Sequence, residues 1–360
     1  MVSRNTIPRF RQFSLRFGVG LFLAICILFG FAARWYHGVR RRGDVQQAFA
    51  AKCVEQQRLG KLRMIASYAD EGKVDSTTQF LRKWVHPEYG REFRYVAAFA
   101  DPLAQTPSID PRLFFGVEDF HLMIPVRSTS IAAFFEIPNL KQLRIEAGRM
   151  LKEESDVVDW TRVRSARNLE VLVLESSIVE VDLATELSDL PELSKVSLYM
   201  LSPGAFAKLA SSPKLSDLSV GLLLPGGPRQ KPLSEEETRA VRRSLKAAFD
   251  ELANRSQLDR LSLSGRLPVT PTDLSTFCDK SSVKELTLRY CQVAPEVLAE
   301  FAKLPDLEKL DIHDPKLEDG HLAGLVGAKK LKSISVGPEI SGEAIVVLRE
   351  KMPQCEIWRK

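Results

Sequence analysis

A short apolar motif recurs along most of this chain, and a recurring unit constrains the fold more than any composition value. The motif is apolar-x-x-apolar-x-apolar, as in NLEVLVL (168–174) and DLEKLDI (306–312). Nine units follow it, and from the fifth unit onward their leading apolar residues are 25, 24, 24 and 24 residues apart. These leading residues are Leu140, Leu169, Leu193, Leu215, Leu258, Val283, Leu307, Leu331 and Cys355. A period near 24 residues predicts an array of stacked repeats.

Each unit combines two hydrophobic periods. The alternation within the motif predicts a short strand with one buried face. The stretch between motifs has helical spacing, and 295–304 is the clearest case, with apolar residues at Val297, Leu298, Phe301 and Leu304. Pro295 suits a first helical turn, as do 202–204 and 341–343 at the same point of their units. One unit cannot bury both elements alone, so we predict an α/β solenoid of short parallel strands and outer helices.

The array resembles leucine-rich-repeat proteins, especially the variety with helices on the convex side. The resemblance covers roughly residues 13–360 and implies a solenoid with parallel strands on its concave face. An N-terminal hydrophobic span before the repeats is also similar to bacterial single-pass membrane proteins with C-terminal leucine-rich repeats. Such repeats usually place Asn or Cys five residues after the second apolar position, where it bonds neighbouring backbones. Only Cys291 fits; the equivalent positions hold Ser177, Leu201, Leu223, Arg266, Pro315 and Glu339. We therefore expect this ladder to be largely missing.

The N-terminal segment has the pattern of a membrane anchor. Residues 17–33 are uncharged and almost wholly apolar, with arginines on both sides and Trp35 and Tyr36 at the far end. We predict a transmembrane helix over 17–36 after a basic tail of residues 1–16. A cleaved secretion signal is the alternative, since 30–32 is a small-x-small site, but the arginines at 34 and 40–42 favour retention. We expect a single-pass protein, with the cytoplasmic membrane as the expected location. Four arginines precede the span and four follow it, so the charge bias does not indicate which side carries the repeats.

Residues 37–115 are predicted to form a juxtamembrane segment and an N-terminal cap, because repeat arrays need one exposed end covered. We predict a helix in 44–60, a strand in 61–69 and a helix in 78–85. The repeat array is placed at 116–360, and degenerate earlier units are expected near Tyr95 or Phe120.

One step in the array is 43 residues long, 19 more than the period. The extra residues hold a turn-rich loop, 224–228, and a capping-box pair, Ser234 and Glu237. We predict an inserted segment at about 225–255 with a long helix from about Ser234 to Ala253. Its apolar stripe, expected to pack on the array rather than dock a partner, is Val241, Leu245, Phe249 and Leu252.

The formal charge of +5 is concentrated at the N-terminus. Residues 1–42 hold eight of the 51 basic residues and none of the 46 acidic ones, which leaves 43 basic against 46 acidic residues in the rest. A surface that follows nucleic-acid phosphates needs an excess of aligned Lys and Arg. We therefore predict no nucleic-acid partner.

No motif indicates catalysis, a cofactor or a metal. The five histidines have no pair at a helical spacing of three or four, and the five cysteines have no pair with a two-residue gap. Asp311, His313 and His321 are the one candidate cluster, and we interpret it as a solvated polar face. Cys291 and Cys355 occupy repeat positions where burial is expected. The sequence contains neither a nucleophile elbow nor a phosphate-binding glycine loop, so we predict a non-enzymatic protein without cofactor.

Function on such a scaffold is expected on the concave sheet, at the x positions of the strands. One column of these positions is Arg144, Val173, Ser197, Ser219, Ser262, Thr287, Asp311 and Ser335. A second is Glu146, Glu175, Tyr199, Gly221, Ser264, Arg289, His313 and Gly337. The predicted patch for an unknown protein ligand is Tyr199, Arg260, Glu285, Arg289, Lys309, Asp311 and His313.

These observations favour a membrane-anchored scaffold for protein–protein interaction. A secreted repeat binder with a cleaved N-terminal signal is the first alternative. An enzyme or enzyme adaptor, using residues 44–115 or the inserted helix, is the second.

Overall fold

The computed structural model describes residues 62–68, 93–100, 119–123, 134–137, 139–145, 160–174, 181–225 and 233–360. The predicted transmembrane segment, 17–36, and the helices predicted in 44–60 and 78–85 lie outside these residues. Within the described part of the chain, no helix is both long and apolar enough to cross a membrane.

Among the described residues, twelve strands form one sheet, and their order in the sheet is their order in the chain. The first pair is antiparallel, and every later pair is parallel. The strands are β1 Leu62–Tyr68, β2 Phe93–Ala100, β3 Asp119–Met123, β4 Gln142–Ile145, β5 Val171–Leu174, β6 Lys195–Leu201, β7 Asp217–Leu222, β8 Arg260–Ser264, β9 Glu285–Arg289, β10 Lys309–His313, β11 Ser333–Val336 and β12 Glu356–Arg359.

The strand register confirms the repeat alignment. Equivalent apolar residues of successive units are register partners, as Leu261 is with Leu286 and Leu286 with Leu310. The expected earlier strands near Tyr95 and Phe120 are also present, and these strands pair in parallel. The strand predicted in 61–69 is β1. The sheet is therefore continuous across residue 116, where the sequence places the start of the array.

Helices connect most of the later strands. They are α1 Val181–Ser188, α2 Pro203–Leu209, α3 Glu235–Ala253, α4 Pro271–Lys280, α5 Pro295–Phe301 and α6 Gly342–Lys351, with 3₁₀ helices at Trp160–Ser165 and Asp319–Gly327. Because the strand order never reverses and crossovers share one hand, these connections lie on one face of the sheet. Burial agrees: along β8, Leu261 and Leu263 are buried, whereas Arg260, Ser262 and Ser264 are not. We call the two sides the helix-covered face and the open face. This α/β arrangement fits a repeat solenoid.

The inserted helix is as predicted. α3 begins after Ser234, whose hydroxyl accepts a hydrogen bond from the Glu237 amide while the Glu237 carboxylate accepts one from the Ser234 amide. The predicted apolar stripe is buried. Phe249 lies against three rings from other units, at centroid distances of 5.2 Å to Phe277, 6.0 Å to Phe206 and 6.4 Å to Phe301. The insert therefore belongs to the core of the array.

The connection after β10 is a 3₁₀ helix, whereas the sequence predicts the outer connections as α-helices. Gly324 lies so close to the neighbouring unit that a Cβ atom there would stand 2.7 Å from the Ala299 Cβ. Close packing at this point requires glycine, and glycine lowers the stability of an α-helix.

Other bonds take the place of most of the missing polar ladder. The Cys291 thiol donates to the Leu263 carbonyl at 3.4 Å, as its position predicts. The Leu267 amide donates to the Cys291 carbonyl at 2.9 Å. The buried Asp314 carboxylate accepts from the Lys316 amide at 3.0 Å and also from the Gln292 amide. Neighbouring loops are thus joined by backbone groups and one carboxylate instead of an Asn ladder.

Candidate protein-binding surface

A stripe of small hydroxyl side chains runs across the middle of the open face. Ser197, Ser219, Ser262 and Thr287 are successive register partners on β6 to β9, which confirms the first predicted column. All four are half-buried, because each is flanked by its neighbours on adjacent strands. The stripe is a flat polar floor on which the backbone of another chain can approach closely.

A ladder of alternating charge runs beside this stripe. Arg260 on β8 pairs with Glu285 on β9 at 3.1 Å and lies 3.7 Å from Asp217 on β7. Glu285 also pairs with Lys309 on β10 at 2.9 Å. Together with Asp217, three members of the predicted patch, Arg260, Glu285 and Lys309, therefore form a ladder of two positive and two negative charges that neutralise one another. Asp217 was not part of the predicted patch, although stacking the residues that precede the second apolar position would have revealed the alternation.

Asp311 and His313 of the predicted patch lie together on β10. The His313 Nε2 is 3.0 Å from an Asp311 carboxylate oxygen. Lys360 directly follows β12. Its ammonium lies 3.1 Å from the Asp311 carboxylate and 3.5 Å from His313 Nε2. Lys360 was not part of the predicted patch, because only strand register brings a residue 49 positions away to this point.

Tyr199 is exposed on the open face, where β6 departs from regular pairing after Leu198. Its ring lies close to β7: a Cβ atom at Gly221 would stand 3.2 Å from the Tyr199 Cδ2 and 3.1 Å from the Ser264 Oγ. The absence of a side chain at Gly221 therefore makes room for this ring.

The chain leaves several strands through a left-handed residue at one repeat position. Met200 (φ 64°), Gly265 (φ 90°) and Tyr290 (φ 56°) each stand two residues after the last buried motif residue of their strand. Glycine adopts this conformation freely, whereas a bulky side chain is strained in it. Tyr290 is nevertheless 63% exposed, the most exposed large hydrophobic side chain described. The repeat motif ends before Tyr290 and does not predict that this side chain is exposed.

Two arginines accompany Tyr290 where β8 and β9 end. The Gly265 amide donates to the Arg289 carbonyl, and the Leu267 amide donates to the Cys291 carbonyl, both at 2.9 Å. These bonds hold Arg266 beside Arg289 and Tyr290. Both arginines are exposed, and neither guanidinium forms a salt bridge within the described residues. We call Arg266, Arg289 and Tyr290 the carboxyl rim; of these, only Arg289 was in the predicted patch.

The seven predicted residues therefore share one face, across five neighbouring strands from β6 to β10. With about 4.8 Å between strands, they span about 19 Å. They form three groups with different surroundings: the neutralised ladder, the Asp311–His313 pair with Lys360, and the more exposed Tyr199 and Arg289.

No group of His, Cys, Asp and Glu residues in the described chain could hold a metal ion. Cys278, Cys291 and Cys355 are free and buried, as expected for Cys291 and Cys355. Burial raises the pKa of the Cys291 thiol to about 12 and that of Cys355 to about 11. Because the thiolate is the nucleophile, neither thiol is suited to covalent chemistry at neutral pH.

Two grooves lie apart from the predicted patch. One, of about 370 Å³, runs between the 3₁₀ helix Asp319–Gly327 and α6 and is lined by Leu322, Val326 and Val347 among others. The other, of similar volume, lies beside Arg349 and Trp358 at the edge strand β12. Both are shallow surface features with few convergent polar groups, unlike a typical small-molecule site.

Comparisons with known proteins do not assign this chain to a family. No family model matches the sequence, and no curated protein matches it. Among solved structures, the chain is similar to one in an octameric complex of Latrophilin 3 (Lec, Olf), Unc5D (Ig, Ig2, TSP1) and FLRT2 (LRR), with 15% identity over 71% of this chain and 85% of that chain. The TM-score of 0.29 is too low for an argument from that likeness. The parallel sheet, its register and the helix-covered face themselves fit a leucine-rich-repeat fold.

Proposed function

We propose that this protein is a non-enzymatic leucine-rich-repeat scaffold that binds another protein on the open face of its sheet. The observation that carries the proposal is the open face itself, where parallel strands present side chains that no element of the described chain covers. Its floor of small hydroxyls admits a close backbone approach, and Tyr199 is a residue type enriched among interface anchors.

The residues of this surface are expected to contribute unequally to the binding free energy. Arg260, Glu285 and Lys309 are already paired, so a ligand that breaks these pairs gains little from them. Tyr199 and Arg289 are exposed and offer new contacts on binding. Among the seven predicted residues, we therefore expect Tyr199 and Arg289 to contribute most of the affinity. The paired residues of the ladder should contribute mainly charge complementarity with the ligand.

We further propose that residues 17–36 hold the scaffold in a membrane as a single-pass anchor, as the sequence pattern and the likeness to bacterial single-pass proteins predict. The alternative of a cleaved signal predicts a different mature protein. Subcellular fractionation of the C-terminally tagged full chain separates the two. A full-length species of 40.4 kDa plus the tag in the membrane fraction supports the anchor, whereas a shorter soluble species contradicts it.

The binding face is tested by photo-crosslinking in cells that produce the full chain. A photoreactive phenylalanine analogue replaces Ser262, in the centre of the open face, or Arg243, an exposed residue of α3 on the helix-covered face. We expect a defined crosslinked species from position 262 that is absent from position 243. Crosslinks from position 243 alone would show that the partner binds the helices, and the open-face proposal would then be wrong.

A further inference from the structure

We infer that the carboxyl rim of Arg266, Arg289 and Tyr290 binds an acidic segment of a partner protein. The inference rests on the proposed function and adds the chemical class of the partner. Its first support is charge: the basic residues at the amino ends of β8, β9 and β10, the opposite end from the rim, are already paired. Lys284 pairs with Asp259 at 2.8 Å, Arg260 with Glu285 at 3.1 Å and Lys309 with Glu285 at 2.9 Å.

The rim arginines lack such partners within the described residues. Two carboxylates of the next unit are engaged elsewhere. Asp311 accepts from Lys360, and Asp314 is 3% exposed with its oxygens bonded to the Gln292 and Lys316 amides. Two exposed guanidinium groups without a salt bridge to any described residue therefore follow the ends of neighbouring strands, and each can hold a carboxylate through two parallel hydrogen bonds.

The second support is the conformation of Tyr290. A left-handed backbone carries a strain cost at a bulky residue, and a ring that is 63% exposed regains little of that cost through packing. Gly265 shows that glycine fits the same repeat position without this cost. Strained residues of this kind cluster at binding sites, and an exposed tyrosine that directly follows Arg289 supplies a flat apolar contact beside a charge.

A short acidic peptide fits this rim better than a long polyanion does. The rim is about two strands wide, and the Asp217 and Glu285 carboxylates of the charge ladder lie on the same face. These carboxylates already hold Arg260 and Lys309, so the ladder offers the phosphates of a nucleic acid or of an anionic membrane no free cation. A peptide with a few Glu or Asp residues can contact the rim alone.

The test uses the full chain and a fluorescein-labelled decaglutamate peptide as the probe, followed by fluorescence anisotropy. We expect saturable binding that weakens with added salt. Arg289→Glu should reduce the affinity by about tenfold, the change expected from losing one charge-assisted contact worth about 1.4 kcal/mol. Arg243→Glu, the same charge change at an exposed residue of α3, should leave binding unchanged.

Tyr290→Ala provides a second variant whose folding is not endangered, because the substitution removes an exposed side chain. It should also weaken probe binding. No binding of decaglutamate, or equal binding by wild type and Arg289→Glu, overturns the inference. Tighter Arg289-dependent binding to single-stranded DNA or to phosphatidylserine vesicles also overturns it, in favour of a phosphate ligand. These outcomes leave the photo-crosslinks from position 262 untouched, so failure of the acidic-segment inference is distinguishable from failure of the open-face proposal.

Discussion

Gly265 shows how one backbone position limits what the repeat can contain. Its φ of 90° disfavours any other residue, and a Cβ atom would stand 2.7 Å from the Leu222 carbonyl oxygen of the preceding strand. We expect Gly265→Ala to lower the free energy of unfolding by roughly 1–3 kcal/mol. Urea denaturation followed by circular dichroism measures this change. Gly327→Ala is the control, since nothing lies within 4 Å of a Cβ there, and an equal loss in both variants would contradict the argument.

Tyr290 stands at the same repeat position and gives the opposite prediction. Tyr290→Gly relieves the left-handed strain, and this gain is partly offset by the greater freedom of glycine in the unfolded chain. We expect a net increase in the free energy of unfolding of about 1 kcal/mol, together with weaker partner binding. Tyr199→Gly, at an exposed residue that does not itself have a positive φ, should destabilise the protein instead. A loss of stability in Tyr290→Gly would show that the side chain stabilises the fold.

At the scale of elements, a polar network joins the inserted helix to the next unit. The Arg242 guanidinium on α3 donates to the Asp273 carboxylate at 3.0 Å and to the Thr270 hydroxyl at 2.8 Å. The Thr270 amide and hydroxyl also donate to Asp273, at 2.8 and 2.7 Å. Burial by itself would raise the pKa of Asp273, but the hydrogen bonds from Thr270 and Arg242 outweigh burial and lower it.

This network predicts a pH dependence with a definite sign. A lowered folded-state pKa contributes stability above the unfolded value of about 3.9, and the contribution is lost as pH falls through the folded value. Asp273→Asn should therefore cost about 1–2 kcal/mol at pH 7 and progressively less below about pH 4. Urea midpoints measured from pH 7 to pH 3 test this. Asp279→Asn, exposed on the same helix, should show little effect at any pH, and a pH-independent cost for Asp273→Asn would contradict the assignment.

A side chain covers one carbonyl of the edge strand β12. The Arg349 guanidinium on α6 donates to the Ile357 carbonyl of the edge strand β12 at 2.7 Å. Exposed edge groups can pair with another strand, and covering them prevents self-association. We expect Arg349→Ala to cause concentration-dependent association, measured by light scattering coupled to size-exclusion chromatography. Lys351→Ala, on the same helix, is the control. A monodisperse Arg349→Ala protein matching that control would show that Arg349 does not guard the edge.

At the scale of the whole array, Phe249 couples units that are distant in sequence. It is fully buried, and its ring contacts rings of α2, α4 and α5. In a repeat protein, stability is a sum of units and of the contacts between neighbours. We expect Phe249→Ala to cost about 3–5 kcal/mol and to broaden the urea transition as neighbouring units uncouple. Phe249→Leu should cost less and keep the transition sharp. A small cost with an unchanged transition would show that the insert does not couple the units.

Much of the array could be predicted because its signals are local. The motif period located the strands from β4 to β12, and the Ser234–Glu237 pair marked where α3 begins. The hydroxyl stripe followed from the same alignment, since alternation within a strand decides which side chains share a face. The N-terminal anchor and the secreted alternative also come from sequence pattern, and both remain predictions.

The contacts of the surface side chains could be identified only from the tertiary structure. These contacts depend on which strands become neighbours and on how the chain leaves each strand. Strand pairing turned Arg260, Glu285 and Lys309 from three candidate anchors into a neutralised ladder. It also brought Lys360 to Asp311 across 49 residues. The left-handed exit at Tyr290 placed an aromatic ring beside two arginines, although the repeat motif says nothing about that position. A local pattern determines which face a side chain occupies, whereas only packing determines what that side chain meets there.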